Sequence, residues 1–144
     1  MKLLNALTGE IIGAAIEVHR ELGGPGLLEN IYEPALACEL SLRGLSVRRQ
    51  VNIPVHYKGH RIKMPHFLDL LVDERVIVEV KATEKHSKLF EAQLLTYLRL
   101  TGLPVGLLIN FGEGHVRDGI RRVVNGLSAK DDLRVSASPR LRVK

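Results

Sequence analysis

The stretch FLDLLVDERVIVEVKA, residues 67–82, decides how this chain folds. Two apolar runs are separated only by the polar residues 73–75, a pattern that predicts two antiparallel strands joined by a tight turn. Charged side chains nevertheless stand within these runs, at Asp69, Glu79 and Lys81. Charges inside strands that are otherwise so apolar call for a specific physical reason.

The length of the turn predicts where these charges lie relative to one another. Side chains alternate between the two faces of a strand, so Glu79 and Lys81 share a face. The three-residue connection predicts that Val72 lies opposite Val76. Asp69 then lies directly opposite Glu79, and two carboxylates facing each other at about 4 Å repel by about 4 kcal/mol at an effective dielectric near 20. The pattern therefore predicts a compensating cation.

Two explanations of this acidic pair are open on the residues alone. Lys81 offsets part of the repulsion, but paired carboxylates at a sheet edge are also the hard oxygen ligands that Mg²⁺ and Mn²⁺ take. The sharper hypothesis is a divalent-ion site on Asp69 and Glu79. The alternative is a surface salt bridge on a solvated face, since polar and apolar residues alternate in many strands that face water on one side.

Further polar residues stand on both sides of the hairpin. The segment GLLENIY, residues 26–32, passes from a glycine loop into a predicted helix and carries Glu29 in its first turn. Residues 85–101 predict another helix, on which Gln93 and Tyr97 share one face because they are four residues apart. On sequence alone, the helix dipole explains Glu29 equally well, and an exposed helix surface explains the other two.

In this order, the motifs resemble those of the GxxExxY proteins, a small bacterial and archaeal family assigned to the PD-(D/E)XK nuclease superfamily. The resemblance covers about residues 11–126, and its four elements together are specific for the fold, whereas a single ExK tripeptide is common by chance. The matching positions are Gly26, Glu29 and Tyr32 for the naming motif, Asp69 for the acidic position, Glu79-Val80-Lys81 for (D/E)XK, and Gln93 and Tyr97 for QxxxY.

The resemblance implies an α/β (α+β) fold with a restriction-endonuclease-like core. In that core a central mixed sheet carries the acidic hairpin and is flanked by helices. The hydrophobic periodicity agrees with this fold class, because helical and strand patterns are interleaved along the chain. The predicted helices are residues 7–22, 29–43, 85–101 and 117–125, and the further predicted strands are residues 51–57, 60–63 and 105–110.

The resemblance also implies the roles of the hairpin side chains. Asp69 and Glu79, together with the main-chain carbonyl of Val80, are expected to hold Mg²⁺, with Mn²⁺ as a possible substitute. Lys81 is expected to orient the attacking water or to neutralise the negative charge that develops on the phosphoryl group.

Residues outside the hairpin complete the expected site. The resemblance implies that Glu29 is a metal ligand, which reaches the same ion directly or through water or else binds a second metal. Gln93 is expected to bridge bound water and phosphate, since its amide both donates and accepts hydrogen bonds, and Tyr97 accompanies it. His19 is a further candidate metal ligand, because some relatives use a helix histidine; the alternative is a core histidine whose hydrogen bonds are satisfied internally.

The function implied is that of a Mg²⁺-dependent (deoxyribo)nuclease, which hydrolyses DNA phosphodiester bonds by in-line attack of metal-activated water. The alternative is a noncatalytic nucleic-acid-binding or protein-interaction module that retains the nuclease fold, since some members of the superfamily are thought to have lost catalysis. A third class, a metal-dependent enzyme for a small phosphorylated substrate, has no phosphate-cradling glycine loop to support it.

Composition indicates one domain followed by a basic tail. A chain of 144 residues with 45% hydrophobic content can bury a single core. We expect a nuclease-like domain at residues 1–127 and a basic, disordered tail at residues 128–144. The tail holds five cationic and two acidic residues, or +3 of the formal net charge of +5. It is either an arm that binds phosphate or a solvated terminus.

The remaining composition bears on location. No apolar run approaches the roughly 18 residues that a membrane span needs, and Glu10 and Glu17 interrupt the N-terminal region. A cytoplasmic location with no membrane partner is expected. The lone Cys38 stands among apolar residues of a predicted helix, so we expect a buried thiol there rather than a nucleophile.

Overall fold

The computed structural model describes residues 3–63 and 66–126. The predicted tail at residues 128–144 lies outside this part of the chain, so the domain boundary stays a prediction. The helices are α1 (Leu4–Glu21), α2 (Glu29–Leu42) and α3 (Lys88–Thr101), with a short 3-10 helix at Val116–Gly119. The strands are β1 (Val47–Asn52), β2 (Val55–Tyr57), β3 (His60–Ile62), β4 (Phe67–Val72), β5 (Val76–Lys81), β6 (Val105–Asn110) and β7 (Ile120–Val124).

Five strands form one mixed sheet in the order β1-β4-β5-β6-β7. β5 and β6 are parallel, and α3 is the crossover between them, whereas the other neighbouring pairs are antiparallel. β2 and β3 form a separate two-stranded hairpin. This mixed sheet flanked by helices confirms the predicted restriction-endonuclease-like fold class.

Alternation along the strands divides the core into two layers. Val78 and Val80 of β5 belong to a cluster that also contains apolar residues of α1 and α2. Ile77 faces the other way and packs with Leu94 and Leu98 of α3. Glu79 and Lys81 are two and four positions after Ile77 in the same strand, so their side chains lie on the same face as Ile77, the face that α3 covers.

Three sequence expectations about local structure are wrong. Residues 117–125 do not form a helix but a 3-10 turn followed by β7, because pairing with β6 satisfies backbone groups along that edge and overrides helical propensity. The predicted strand at residues 51–57 is divided between β1 and β2, with Pro54 at the break. Cys38 is exposed, because α2 turns Leu36 and Leu40 inward instead.

Within the described residues, no helix is both long enough and apolar enough to cross a membrane. α1 is amphipathic, with Leu4, Leu7, Ile11 and Val18 buried on one side at the spacing of helical turns. Its apolar face is therefore used for packing against the sheet.

A buried asparagine fixes the segment that follows β5. Asn110, 3% exposed, accepts hydrogen bonds at Oδ1 from Thr83 N at 3.0 Å and from Gly112 N at 2.9 Å. Its Nδ2 donates to the Thr83 carbonyl oxygen at 3.0 Å. A Cβ at Gly112 would lie 2.1 Å from that same carbonyl oxygen, so the two backbones approach too closely for any side chain there. Asn110 thereby holds the chain immediately beyond Lys81.

We expect Asn110→Leu to destabilise the fold by about 2–3 kcal/mol, because it leaves buried backbone groups of Thr83 and Gly112 without partners. Urea unfolding measures the change. Asn52→Leu is the matched control: Asn52 is exposed and makes one long hydrogen bond, 3.4 Å, to the His66 carbonyl oxygen, so a change within about 0.5 kcal/mol is expected. Equal stabilities of the two variants would contradict this role of Asn110.

Candidate active site

The turn between β4 and β5 sets the register of the acidic residues. Asp73 and Glu74 both have positive φ, and the Arg75 N–H donates to the Val72 carbonyl oxygen at 3.0 Å. Val72 pairs with Val76, as the sequence predicted, and the ladder continues from there. The odd number of connecting residues therefore brings Asp69 to the position opposite Glu79.

At that position side chains replace the strand ladder. The last backbone pair of β4 and β5 is Leu70 with Val78. Beyond it, the Asp69 N–H donates to Glu79 Oε1 at 3.3 Å, and the Val80 N–H donates to Asp69 Oδ2 at 2.8 Å. The two carboxyl groups thus accept the main-chain N–H groups of Asp69 and Val80 where the strands separate. We call this pair of hydrogen bonds the interlock of Asp69 and Glu79.

Where β4 separates from β5, the side chains of β4 also change the face of the sheet on which they lie. Leu70 packs in the α1–α2 layer, whereas Leu68 packs in the α3 layer, although regular alternation would place both on the same face. Gln50 of β1 lies between the pairs Arg49–Leu70 and Val51–Leu68 and has φ of 51°. The twist at Gln50 and Asp69 therefore turns both strands at the acidic site.

Glu79 has an unusual protonation state. The residue is 3% exposed, and its pKa rises to about 9 chiefly because burial penalises the carboxylate. The negative charge of Asp69 raises the pKa further, while Lys81 opposes the shift. Without a cation, Glu79 holds its proton at neutral pH.

Three side chains extend the site from β5 to α3. Lys81 Nζ donates to Gln93 Oε1 at 3.3 Å and lies 4.9 Å from the centre of the Phe90 ring. Gln93 Nε2 donates to the Tyr97 hydroxyl at 2.9 Å. Burial raises the pKa of Tyr97, and the negative charges of Glu79 and Asp69 add to it. The structure thus brings Gln93 and Tyr97 to the acidic pair.

α2 brings Glu29 to the opposite wall of the site. Burial of part of its carboxyl raises the pKa of Glu29, while the charge of Lys81 lowers this pKa and that of Asp69 raises it. The charges of Glu29, Lys81 and Asp69 therefore interact, although Glu29 has much exposed surface. Glu29 and Asp69 line one open cleft of about 600 Å³. The loop before α2 is held by Tyr32, whose hydroxyl donates to the Gly24 carbonyl oxygen at 2.7 Å.

His19 lies elsewhere. Its Nε2–H donates to the Glu113 carbonyl oxygen at 3.1 Å, and its ring is 6.2 Å from that of Phe111. It lines a second cleft, with Arg20 and Arg117 among the neighbours. No described contact joins His19 to Asp69 or Glu79, so the structure gives it a packing role and its metal ligation stays a prediction.

The sequence reasoning missed an aromatic link between the two halves of the site. The Phe111 N–H donates to the Lys81 carbonyl oxygen at 2.8 Å, and its ring stacks on Tyr32 with centroids 4.6 Å apart and planes 7° from parallel. Phe111 thus connects the end of β5 to the helix that carries Glu29. Its only sequence signal is its place directly after the apolar run 105–110.

An ion pair in the cleft wall was also missed. Glu33 is buried and accepts hydrogen bonds from Arg49, the shortest at 2.7 Å, and from Gln50 Nε2 at 3.2 Å. These three residues line the cleft together with Glu29 and Asp69. A signal was present in the sequence, because Glu33 interrupts the apolar face of its helix.

The donor set fits a divalent cation. Asp69 Oδ2 accepts the Val80 N–H, while Oδ1 accepts none of the hydrogen bonds described for this hairpin. The Glu79 carboxyl beside it is held neutral by burial, by the negative charge of Asp69 and by a side-chain hydrogen bond with Asp69, so a cation would stabilise its ionised form. Among residues 3–63 and 66–126, no three His, Cys, Asp or Glu side chains are gathered for metal binding. An ion held by this pair would take further ligands from Glu29, the main chain or water.

The sequence of the chain also matches a family of known proteins. The family model described as the PD-(D/E)XK nuclease superfamily matches residues 5–123, from α1 into β7. No curated protein and no solved structure gives a significant match.

The raised pKa of Glu79 predicts a pH dependence in metal-free protein. Its folded-state pKa of about 9 lies above the ordinary 4.5, so its contribution to stability is fully present below pH 4.5 and is lost as pH rises through about 9. Glu79→Gln lacks this titration. Unfolding in urea with EDTA should therefore show the variant gaining stability relative to wild type between about pH 5 and pH 9.

Glu74→Gln is the control for that titration. Glu74 lies in the turn of the same hairpin, where it pairs with Arg48 at 2.9 Å and stays exposed. Its stability difference from wild type should not change over the same pH range. A flat difference for Glu79→Gln would show that Glu79 is ionised in the folded protein.

Proposed function

The chain belongs to the PD-(D/E)XK nuclease superfamily, and from that premise we propose that it is a Mg²⁺-dependent deoxyribonuclease. The observation that carries the proposal is the interlock of Asp69 and Glu79 beside Lys81. It provides two oxygen donors and one cation at a single point. The resemblance to GxxExxY proteins supports DNA as the substrate, with Mn²⁺ able to replace Mg²⁺.

Asp69 and Glu79 are the residues that would hold the ion, with the Val80 carbonyl and Glu29 as further ligands. When bound, the ion supplies Lewis acidity and lowers the pKa of water. Glu79 must release its proton on binding, so affinity should increase with pH up to about 9.

Lys81 is the cation that faces the reacting phosphate in this proposal. Two hydrogen bonds fix its position from α3. Lys81 Nζ donates to Gln93 Oε1, and Gln93 Nε2 donates to the Tyr97 hydroxyl, which holds the Gln93 amide in place. A preorganised ammonium stabilises negative charge that develops on phosphoryl oxygens without having to reorient. Gln93 and Tyr97 then act by positioning Lys81, and Gln93 is also placed to contact bound water.

Glu29 lies on the far wall of the cleft and has much exposed surface, so solvent reaches the site from that side. We infer that the scissile phosphate enters between Glu29 and the acidic hairpin. Its negative charge would be met there by Lys81 from the sheet and by the bound ion, and these cations offset the repulsion of the carboxylates.

Cleavage of single-stranded, duplex and branched DNA in Mg²⁺, Mn²⁺ or EDTA tests the activity. We expect products with either ion and none with EDTA. Asp69→Asn and Lys81→Ala should each reduce turnover by about 100-fold or more, as loss of a preorganised charge does elsewhere. Glu74→Gln, a carboxylate of the same hairpin outside the cleft, should retain activity within about twofold.

Thermal unfolding with and without Mg²⁺ separates binding of the ion from catalysis. Mg²⁺ should raise the melting temperature of wild type, because an ion that binds only the folded state stabilises it. Asp69→Asn should lose this effect, whereas Lys81→Ala should keep it. DNA binding without cleavage and without any divalent-ion effect would instead support the noncatalytic alternative.

A further inference from the structure

The β2–β3 hairpin stands apart from the main sheet and presents nearly all of its side chains to solvent. Residues 56–63 are exposed without exception. The turn is formed by Lys58 and Gly59, both at positive φ, and the strands pair over only three residues each. A two-stranded ribbon of this size adds little core, so its exposed side chains are available for binding.

The hairpin concentrates positive charge that the rest of the fold lacks. Residues 53–63 contain three cations and no acidic residue. The described residues together hold 15 cationic and 14 acidic side chains, so those outside the hairpin have 12 and 14. The folded chain is thus slightly acidic except for this ribbon, where the positive potential is localised.

These cations are not neutralised by the protein. Lys58, Arg61 and Lys63 form no ion pair with any carboxylate in the described residues. By contrast, Arg43 and Arg49 bond to glutamates at 2.8 Å and 2.7 Å. Exposed cations without a carboxylate partner favour an external anion.

An aromatic side chain accompanies the charges. Tyr57 is 62% exposed and pairs across the ribbon with His60, while Arg61 pairs with His56 on the other face. Lys58 Nζ lies 5.5 Å from the centre of the Tyr57 ring. Cations for the backbone together with an exposed ring for base stacking are typical of surfaces that bind nucleic-acid strands.

The base of the hairpin adjoins the α3 side of the acidic site. Ile53 and Val55 line a small cleft with Gln93 and Tyr97. His66, just before β4, lies with its ring 6.3 Å from that of Tyr97.

The chain length between the hairpin and the acidic site limits their separation. Ile62, at the base of the hairpin, precedes Asp69 by seven positions, which allows at most about 25 Å between them. That distance is about seven nucleotides along one strand of a duplex.

We propose that the β2–β3 hairpin is a strand-binding arm, which contacts the nucleic-acid backbone through Lys58, Arg61 and Lys63 and stacks a base on Tyr57. The end of the arm at Ile62 lies within about seven nucleotides of the bond to be cleaved. This inference rests on the proposed function, since it assigns the arm to the same nucleic-acid substrate.

Binding of labelled single-stranded and duplex DNA to the full chain in EDTA tests the arm without cleavage. The triple variant Lys58→Gln/Arg61→Gln/Lys63→Gln should bind about 100-fold more weakly at 0.1 M salt, and its slope of log affinity against log salt should fall by about two to three units. The control Arg99→Gln/Arg117→Gln/Arg121→Gln removes the same charge from exposed positions elsewhere. It should stay within about threefold of wild type.

Tyr57 has a separate test, because the chain contains no tryptophan. The Tyr57→Trp variant provides a single indole, whose fluorescence should be quenched when single-stranded DNA binds. Tyr57→Ala should weaken single-strand binding by about fivefold or more. Unchanged fluorescence together with unchanged affinity would remove Tyr57 from the arm.

The outcomes separate this inference from the function on which it rests. If wild type neither binds DNA in EDTA nor cleaves it in Mg²⁺, the proposed function fails as well, and if it cleaves DNA in Mg²⁺ but binds none in EDTA, only the arm is overturned. If wild type binds DNA but the hairpin variant binds equally well, or if both triple variants lose the same affinity, only the arm is overturned. Circular dichroism melting of every variant shows that a loss of binding is not a loss of folding.

Discussion

The site depends on one constraint, a pair of hydrogen bonds where β4 and β5 separate: the Asp69 N–H donates to the Glu79 carboxyl, and the Val80 N–H donates to the Asp69 carboxylate. A strand pair that continued regularly would use its main-chain donors in the ladder and would leave two facing carboxylates unsatisfied. Here the ladder stops, and each carboxylate accepts a main-chain N–H instead. Burial, and after it the negative charge of Asp69, raises the pKa of Glu79, so a cation at this point would stabilise the ionised carboxylate.

The rest of the fold holds this unfavourable arrangement in place. Apolar layers pack on both faces of the sheet, so the strands are fixed on either side of the point where they part. α2 contributes Glu29 from one direction, and α3 holds Lys81 through Gln93 from the other. Phe111 ties these halves together by bonding to β5 and stacking on α2. Glu29 begins α2 and Lys81 ends β5, where backbone irregularity costs least, whereas Gln93 and Tyr97 lie within α3.

Sequence reasoning reached the register of the hairpin because strand alternation and turn length determine it. Those two rules place Asp69 opposite Glu79 without any tertiary information, and the i, i+4 spacing likewise places Gln93 with Tyr97. They do not reveal that side chains take over the ladder, which depends on how far the two strands separate. They also fail for β7, because the sequence there has a helical pattern but the residues pair with the edge of β6 instead.

Contacts between residues far apart in the sequence could not be predicted either, because they depend on how the elements pack. The bond between Glu33 and Arg49 joins a helix to a strand, and neither residue has a local signal for its partner. The charge of the β2–β3 hairpin was hidden because the net value for the chain also counts the basic tail, while the other described residues hold 12 cationic and 14 acidic side chains. Local patterns therefore indicated the acidic centre and the family resemblance indicated Glu29, whereas the Glu33–Arg49 ion pair and the charge of the β2–β3 hairpin emerged only from the structure.

A crystal of the full chain grown with Mn²⁺, with anomalous scattering recorded, tests the central claim most directly. A shared site predicts one Mn²⁺ bound by an oxygen from Asp69 and an oxygen from Glu79, and its absence in Asp69→Asn. Mn²⁺ bound elsewhere, with neither carboxylate in contact with the ion at saturating metal, would contradict it.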